Sequence, residues 1–158
     1  MKIKPMTTVN RLVVHCSATR ASADIGVADI RLWHKRQGWR DVGYHYVIRR
    51  NGTVEKGRPD NEPGAHATGF NGDSIAICMV GGVGENGKGE DNFTAAQYAA
   101  LFTTLARLKT AWPNAEVLGH RDLSPDRNKD GKVTKNEWMK ECPSFDVRSW
   151  WTSWTTRA

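Results

Sequence analysis

The chain of 158 residues has few cysteines and no long apolar run. Its three cysteines are an odd number in a chain of ordinary length, so a disulfide framework of the kind found in small secreted domains is not expected. No apolar stretch approaches the roughly 20 residues that a membrane-spanning helix needs, so we expect no stable membrane insertion. The opening segment "MKIKPMTTVNRLVVHCS" has basic residues but only a very short apolar stretch, which does not fit a signal peptide. We therefore expect a protein that is made and folded in a cytoplasm.

Positive charge is in excess but is not concentrated anywhere. The formal net charge of +6 favours an anionic partner, such as nucleic acid, a membrane surface or an acidic cell-wall polymer. The Lys and Arg residues are dispersed, however, and no nucleic-acid recognition motif accompanies them. We therefore expect no nucleic-acid partner.

Strand-like and helix-like segments alternate along the chain. Short apolar runs predict strands at 11–17, 74–82 and 115–120, and Asn51-Gly52 predicts a β-hairpin within 44–57. Periodic apolar residues predict helices at 24–38, 92–112 and 144–157, the second capped by Thr94 and the third by Ser144. This order predicts an α/β fold in a single domain, residues 1–158, with a central mixed β-sheet flanked by helices.

Two histidines stand where predicted strands end. His15 ends the first strand and His120 ends the last, and ligands of open α/β sheets bind beyond strand ends. Cys142 follows in the polar context "KECPS". Two imidazoles and one thiolate form a known ligand set for catalytic zinc that leaves a fourth position for water. The alternative is a structural role for each residue, because no local metal-binding spacing is present.

Two further side chains could assist such a metal. Lys140 lies two residues before Cys142, and Pro143 favours extended backbone there, so both side chains would point the same way. Its ammonium could stabilise an oxyanion, although a solvated surface lysine is the alternative. Tyr44 could orient a water or carry its proton. Tyr46 lies on the same face of the predicted strand, so the pattern does not choose between them, and either could be a core aromatic.

Several motifs in order resemble one family. "VVHCSAT", "IRLWHKRQGWRDVGYHYVIRRNGTVEKGRP", "GAHATGFNGDSIAICMVGG", "NFTAAQ" and "CPSFDV" are similar to the small phage N-acetylmuramoyl-L-alanine amidases, within the wider family of zinc amidases and peptidoglycan recognition proteins. The resemblance runs from about residue 11 to about residue 150. It implies the amidase fold and zinc-dependent hydrolysis of the amide bond between N-acetylmuramic acid and L-alanine in bacterial peptidoglycan, which would lyse the host cell.

The resemblance also implies roles for individual residues. The implied zinc ligands are His15, His120 and Cys142. The implied catalytic residues are Tyr44, which is thereby preferred to Tyr46, and Lys140. His66 in "GAHA" would line the cleft and touch substrate rather than zinc.

The segment 126–137, "DRNKDGKVTKNE", lies between His120 and Cys142, which only a few residues join in the shortest members of the family. It fits the calcium-loop template at every specified position, with Gly131 at the sharp turn. The predicted calcium ligands are Asp126, Asn128, Asp130, Lys132 through its carbonyl, Thr134 and Glu137. Because "GHRDLSP" before it is not helical, we expect a structural insertion that orders the loop carrying Lys140 and Cys142. The alternative is an exposed turn rich in Asp, Asn and Gly.

The expected partner is bacterial peptidoglycan, and the expected state is a monomer. Without a signal peptide, the enzyme would be made in the host cytoplasm and reach the wall after a holin-like pore permeabilises the membrane. The alternative is a non-catalytic peptidoglycan-binding protein, or a polymerase-regulating protein, of the same fold. The presence of Cys142, Tyr44 and Lys140 favours catalysis.

Overall fold

The computed structural model describes residues 2–156. The strands are β1 Arg11–Cys16, β2 Thr19–Arg20, β3 Tyr46–Ile48, β4 Val54–Lys56, β5 Ser74–Met79, β6 Gly82–Val83 and β7 Glu116–Gly119. The α-helices are α1 Val27–Arg36, α2 Ala95–Ala111 and α3 Val147–Thr155. Within residues 2–156, no helix combines the length and apolar character needed to cross a bilayer.

The main sheet has five strands in the order β4-β3-β5-β1-β7. Strands β3, β5, β1 and β7 run parallel, and only the β3–β4 pair is antiparallel. The mixed α/β sheet is therefore confirmed, with the hairpin supplying its antiparallel part. The apolar run at 74–82 does form the middle strand, although it ends at Met79, and β6 pairs separately with β2.

Both faces of the sheet are covered. Because side chains alternate along a strand, Ile75 and Ile77 of β5 face α2 and α3, whereas Cys78 faces α1. On the first face they pack with Leu101 and Leu105, which are fully buried. Burial of each such Leu or Ile contributes about 1.5–3 kcal/mol, so the sheet is a rigid base for side chains at its edge.

The N-terminal cap of α2 is the predicted residue, whereas that of α3 is not. Thr94 caps α2 as predicted, and its hydroxyl accepts a hydrogen bond from the Gln97 amide at 3.1 Å. Ser144, in contrast, is not the cap of α3. It adopts a left-handed φ of 73°, and its hydroxyl donates to the Gly82 carbonyl. Asp146 is the cap instead, because a carboxylate can accept from the first-turn amides. Residue 157 of the predicted helix lies outside the described residues.

Candidate active site

The parallel sheet brings His15 and His120 to the same edge. In the register of β1 and β7, Val14 lies opposite Gly119. His15 is the next residue of β1, and His120 follows the end of β7 as the first residue of a 3₁₀ turn, so the two lie at the same end of the pair. The centroids of the two imidazole rings are 4.3 Å apart. The position of both histidines therefore follows from strand order and register.

Hydrogen bonds attach Cys142 to β1 and to the 3₁₀ turn that follows β7. The Arg121 amide donates to the Cys142 carbonyl at 2.9 Å, and the Cys16 amide donates to the Cys142 sulfur at 3.1 Å. One ligand atom from each of His15, His120 and Cys142 lies within 4.8 Å of the others. Donor atoms around a tetrahedral zinc ion are roughly 3–4 Å apart, so the three side chains fit such an ion with small adjustments.

Burial keeps the two imidazoles neutral. It lowers the pKa of His15 well below the ordinary value, with the neighbouring His66 and His120 adding to the effect. Burial and the Lys140 ammonium lower the pKa of His120 to about 4. A hydrogen bond with the Cys16 thiol and burial raise the pKa of Cys142. At neutral pH the imidazole lone pairs are thus available, and metal binding would release the thiol proton of Cys142.

Tyr44 lies beside the histidines, and Tyr46 does not. The Tyr44 ring is 5.1 Å from that of His15, centroid to centroid, and burial raises the pKa of its phenol, which stays protonated. The Tyr46 hydroxyl donates to Asp60 at 2.6 Å, and its ring packs in the cluster under α2. The expectation that both tyrosines share a face is wrong. Strand β3 begins only at Tyr46, so the alternation of a strand does not extend back to Tyr44.

A cleft of about 520 Å³ opens beside these residues. Its wall includes His120 and Lys140, and Lys140 is exposed to solvent. Trp39, which the sequence reasoning missed, lines the same cleft and is 37% exposed. The only signal for Trp39 was an aromatic residue in the loop that leads to Tyr44.

His66 also lines the cleft, but both of its ring nitrogens are in hydrogen bonds. Its Nδ1 lies 2.9 Å from Nε2 of His15, and its Nε2 lies 2.9 Å from the hydroxyl oxygen of Ser74. Burial, together with the nearby His45 and His120, lowers the pKa of His66 to about 3. The cleft position agrees with the sequence expectation, whereas substrate contact by His66 stays a prediction.

The loop at 126–137 brings three carboxylates together. Oxygen atoms of Asp126, Asp130 and Glu137 lie within 4.8 Å of one another. Oδ2 of Asp126 accepts a hydrogen bond from the Gly131 amide at 2.8 Å, and Gly131 has a φ of +87°. Oδ1 of Asp126 is buried and has no hydrogen-bond partner among residues 2–156. A buried carboxylate oxygen without a hydrogen-bond partner suits a cation ligand.

The other predicted calcium ligands lie in the same loop. The Asn128 side chain accepts from the Asp130 amide at 3.2 Å, and the Lys132 amide donates to Asp130 at 2.9 Å. The Thr134 amide and hydroxyl both donate hydrogen bonds to Glu137, and the hydrogen bond from the amide lowers the pKa of that carboxyl. The segment ends in a single 3₁₀ turn, Lys135–Glu137, rather than in a full α-helix.

Comparisons with known proteins agree with this geometry. The model of the N-acetylmuramoyl-L-alanine amidase family matches residues 5–144. The endolysin of Klebsiella phage KP32 is 46% identical over 142 residues, which cover 90% of this chain and 85% of that protein. The endolysin of Escherichia phage T7 is 42% identical over 151 residues, covering 96% and 91%.

A solved structure agrees as well. The structure of the Ph2119 endolysin from Thermus scotoductus MAT2119 bacteriophage Ph2119 superposes with a TM-score of 0.70 at 26% identity, covering 96% of this chain and 87% of that one. The family resemblance inferred from the sequence motifs is therefore confirmed, and this chain belongs to the N-acetylmuramoyl-L-alanine amidase family.

Proposed function

We propose that this protein is an endolysin that hydrolyses the amide bond between N-acetylmuramic acid and L-alanine in bacterial peptidoglycan. The observation that carries the proposal is the convergence of His15, His120 and Cys142 at one edge of the sheet, beside a cleft. A protein that only bound peptidoglycan would not require a metal-ligand set of this kind.

His15, His120 and Cys142 would hold a zinc ion, since neutral imidazoles and a thiolate suit zinc. When bound, zinc supplies Lewis acidity that activates water and polarises the scissile carbonyl. Two observations support the fixed position of these side chains: His15 is buried in the sheet, and the Cys142 sulfur accepts a hydrogen bond from the Cys16 amide.

Tyr44 would position the attacking water. Its phenol stays protonated because burial raises its pKa, so it acts as a hydrogen-bond donor and acceptor rather than as a strong base. Its ring packs 5.1 Å from that of His15, which places the side chain beside the ligand set.

Lys140 would stabilise the negative charge that develops on the carbonyl oxygen. It lines the cleft together with His120, and its positive charge lowers the pKa values of both His15 and His120. Positive charge next to the oxygen on which negative charge develops lowers the energy of the transition state.

We also propose that the 126–137 loop binds calcium and thereby orders the segment that leads to Lys140 and Cys142. The support is the cluster of three carboxylates and the buried, unpartnered Oδ1 of Asp126. Calcium prefers carboxylate and carbonyl oxygens, and Gly131 allows the sharp turn that such loops need.

The proposed substrate is peptidoglycan, and the proposed state is a monomeric single domain with this loop as an insertion. Related endolysins imply action at the cell wall. We propose that the protein reaches the wall from the host cytoplasm after a holin-like pore opens the membrane.

The experiment is digestion of purified peptidoglycan, with mass spectrometry of the products. Amidase action leaves a free lactyl carboxylate on the sugar and a free amino group on L-alanine, without new reducing sugar ends. Tyr44→Phe should slow the release strongly. Tyr46→Phe is the matched control, because it removes the same hydroxyl on the opposite face of the sheet, and it should keep the wild-type rate. Binding of peptidoglycan without product release would refute the amidase proposal in favour of a recognition protein.

A further inference from the structure

Four groups form a continuous series of hydrogen bonds behind the proposed zinc ligands. His15 Nε2 lies 2.9 Å from His66 Nδ1, and His66 Nε2 lies 2.9 Å from the Ser74 hydroxyl oxygen. That hydroxyl oxygen lies 2.6 Å from the carbonyl oxygen of Phe70. The chain is anchored in the sheet, because Ser74 is the first residue of β5 and is fully buried.

The end of this chain determines the direction of every bond in it. A carbonyl oxygen can only accept, so the single hydroxyl proton of Ser74 points at Phe70. The Ser74 oxygen must then accept a proton from His66 Nε2. A neutral imidazole carries one proton, so Nδ1 of His66 is a bare acceptor, and Nε2 of His15 must donate to it.

We infer that His66 is a positioning residue for His15. Together with Ser74, His66 keeps the His15 imidazole in the tautomer that is protonated on Nε2, which leaves Nδ1 of His15 free to bind the metal. This inference rests on the zinc site proposed above. It differs from the expected role of His66, because the ring acts on a ligand rather than on substrate. Partners of this kind fix the tautomer and orientation of a ligating histidine, and their loss typically weakens metal binding about 10- to 100-fold.

Three substitutions separate the parts of the chain. His66→Leu removes the acceptor for His15 and should weaken zinc binding about 10- to 100-fold. His66→Asn keeps an acceptor oxygen near the position of Nδ1, so it should retain most of the zinc affinity that His66→Leu loses. Ser74→Ala keeps His66 but no longer fixes which of its ring nitrogens carries the proton. The loss of zinc affinity should therefore fall between the losses of the two His66 variants.

The control for zinc affinity is Thr68→Ala. Thr68 is exposed on the wall of the same cleft, and the hydrogen-bonded chain described here does not include it. The zinc affinity of the Thr68→Ala variant should equal that of the wild type. Zinc affinity is measured by competition with a chromophoric chelator, and circular dichroism with thermal melting verifies that each variant is folded.

The tautomer itself can be observed directly. In ¹⁵N-histidine-labelled, zinc-loaded protein, long-range ¹H–¹⁵N spectra should show His15 with its proton on Nε2 and its metal bond at Nδ1. A proton on Nδ1 of His15 would overturn the inference, as would a folded His66→Leu variant with wild-type zinc affinity. In both cases the zinc site would stand. A wild-type protein that takes up no zinc would overturn the zinc proposal and this inference together.

Discussion

Removal of calcium while zinc is kept should destabilise the protein. An ion that binds only the folded state stabilises it by about 2.7 kcal/mol when its concentration is 100 times Kd. The loop offers three carboxylates, one with an unpartnered buried oxygen, but it lacks the flanking helices of a sensor. With a Kd on the order of 10⁻⁵ M, the weak end of the sensor range, 1 mM calcium meets that condition. For a chain of this length, each kcal/mol shifts Tm by about 2–4 °C, so calcium should raise Tm by about 5–10 °C.

The assay is differential scanning calorimetry of EDTA-stripped protein returned to zinc alone or to zinc with 1 mM calcium. Asp126→Asn keeps an acceptor for the Gly131 amide but removes the charge, so its calcium shift should vanish. Asp24→Asn is the matched control, because it removes a carboxylate whose side chain is 81% exposed and lies outside the loop, and its calcium shift should remain. An unchanged wild-type Tm on addition of calcium, or an equal shift in Asp126→Asn, would rule out the proposed calcium site.

Further predictions concern catalysis and acid stability. Lys140→Ala should keep zinc and lose about 10²-fold in kcat on peptidoglycan fragments. Lys135 is an exposed lysine in the preceding turn, so the control Lys135→Ala should keep the wild-type rate. Equal rates for the two variants would count against an oxyanion role of Lys140. Burial lowers the pKa of His45 from 6.5 to about 4, so the unfolded chain binds more protons between these values. The contribution of His45 to the free energy of unfolding should therefore fall by about 3 kcal/mol as the pH drops through that window. Urea titrations at several pH values measure this, and a slope that His45→Gln leaves unchanged would contradict it.

The sequence was most informative where chemistry depends on strand ends. His15 and His120 each follow an apolar run, and parallel strands that are neighbours in a sheet end at the same edge. The fold class therefore predicted that both residues lie at the same edge of the sheet. Only the strand order in the structure shows that they are neighbours there. Cys142 was predictable only through its motif, because its position depends on backbone contacts with residues far away in sequence.

Other features depended on local backbone that sequence patterns do not reveal. Alternation predicted Tyr44 and Tyr46 on one face, but the strand begins too late for that rule to apply. Ser144 is a good capping residue in general, yet its left-handed backbone directs its hydroxyl to another loop. The contact of His66 with His15 joins residues 51 positions apart, and no local pattern marks it.

The proposed catalysis depends on one zinc ion bound by His15, His120 and Cys142. The most direct measurement is the zinc content per chain, by elemental analysis, of wild type and Cys142→Ser, each paired with its rate of amide cleavage in peptidoglycan. A zinc ion at this site predicts one zinc and full activity in the wild type, and the loss of both in the variant. Wild-type protein that contains no zinc yet cleaves at the full rate, or a Cys142→Ser variant that retains both zinc and activity, would contradict it.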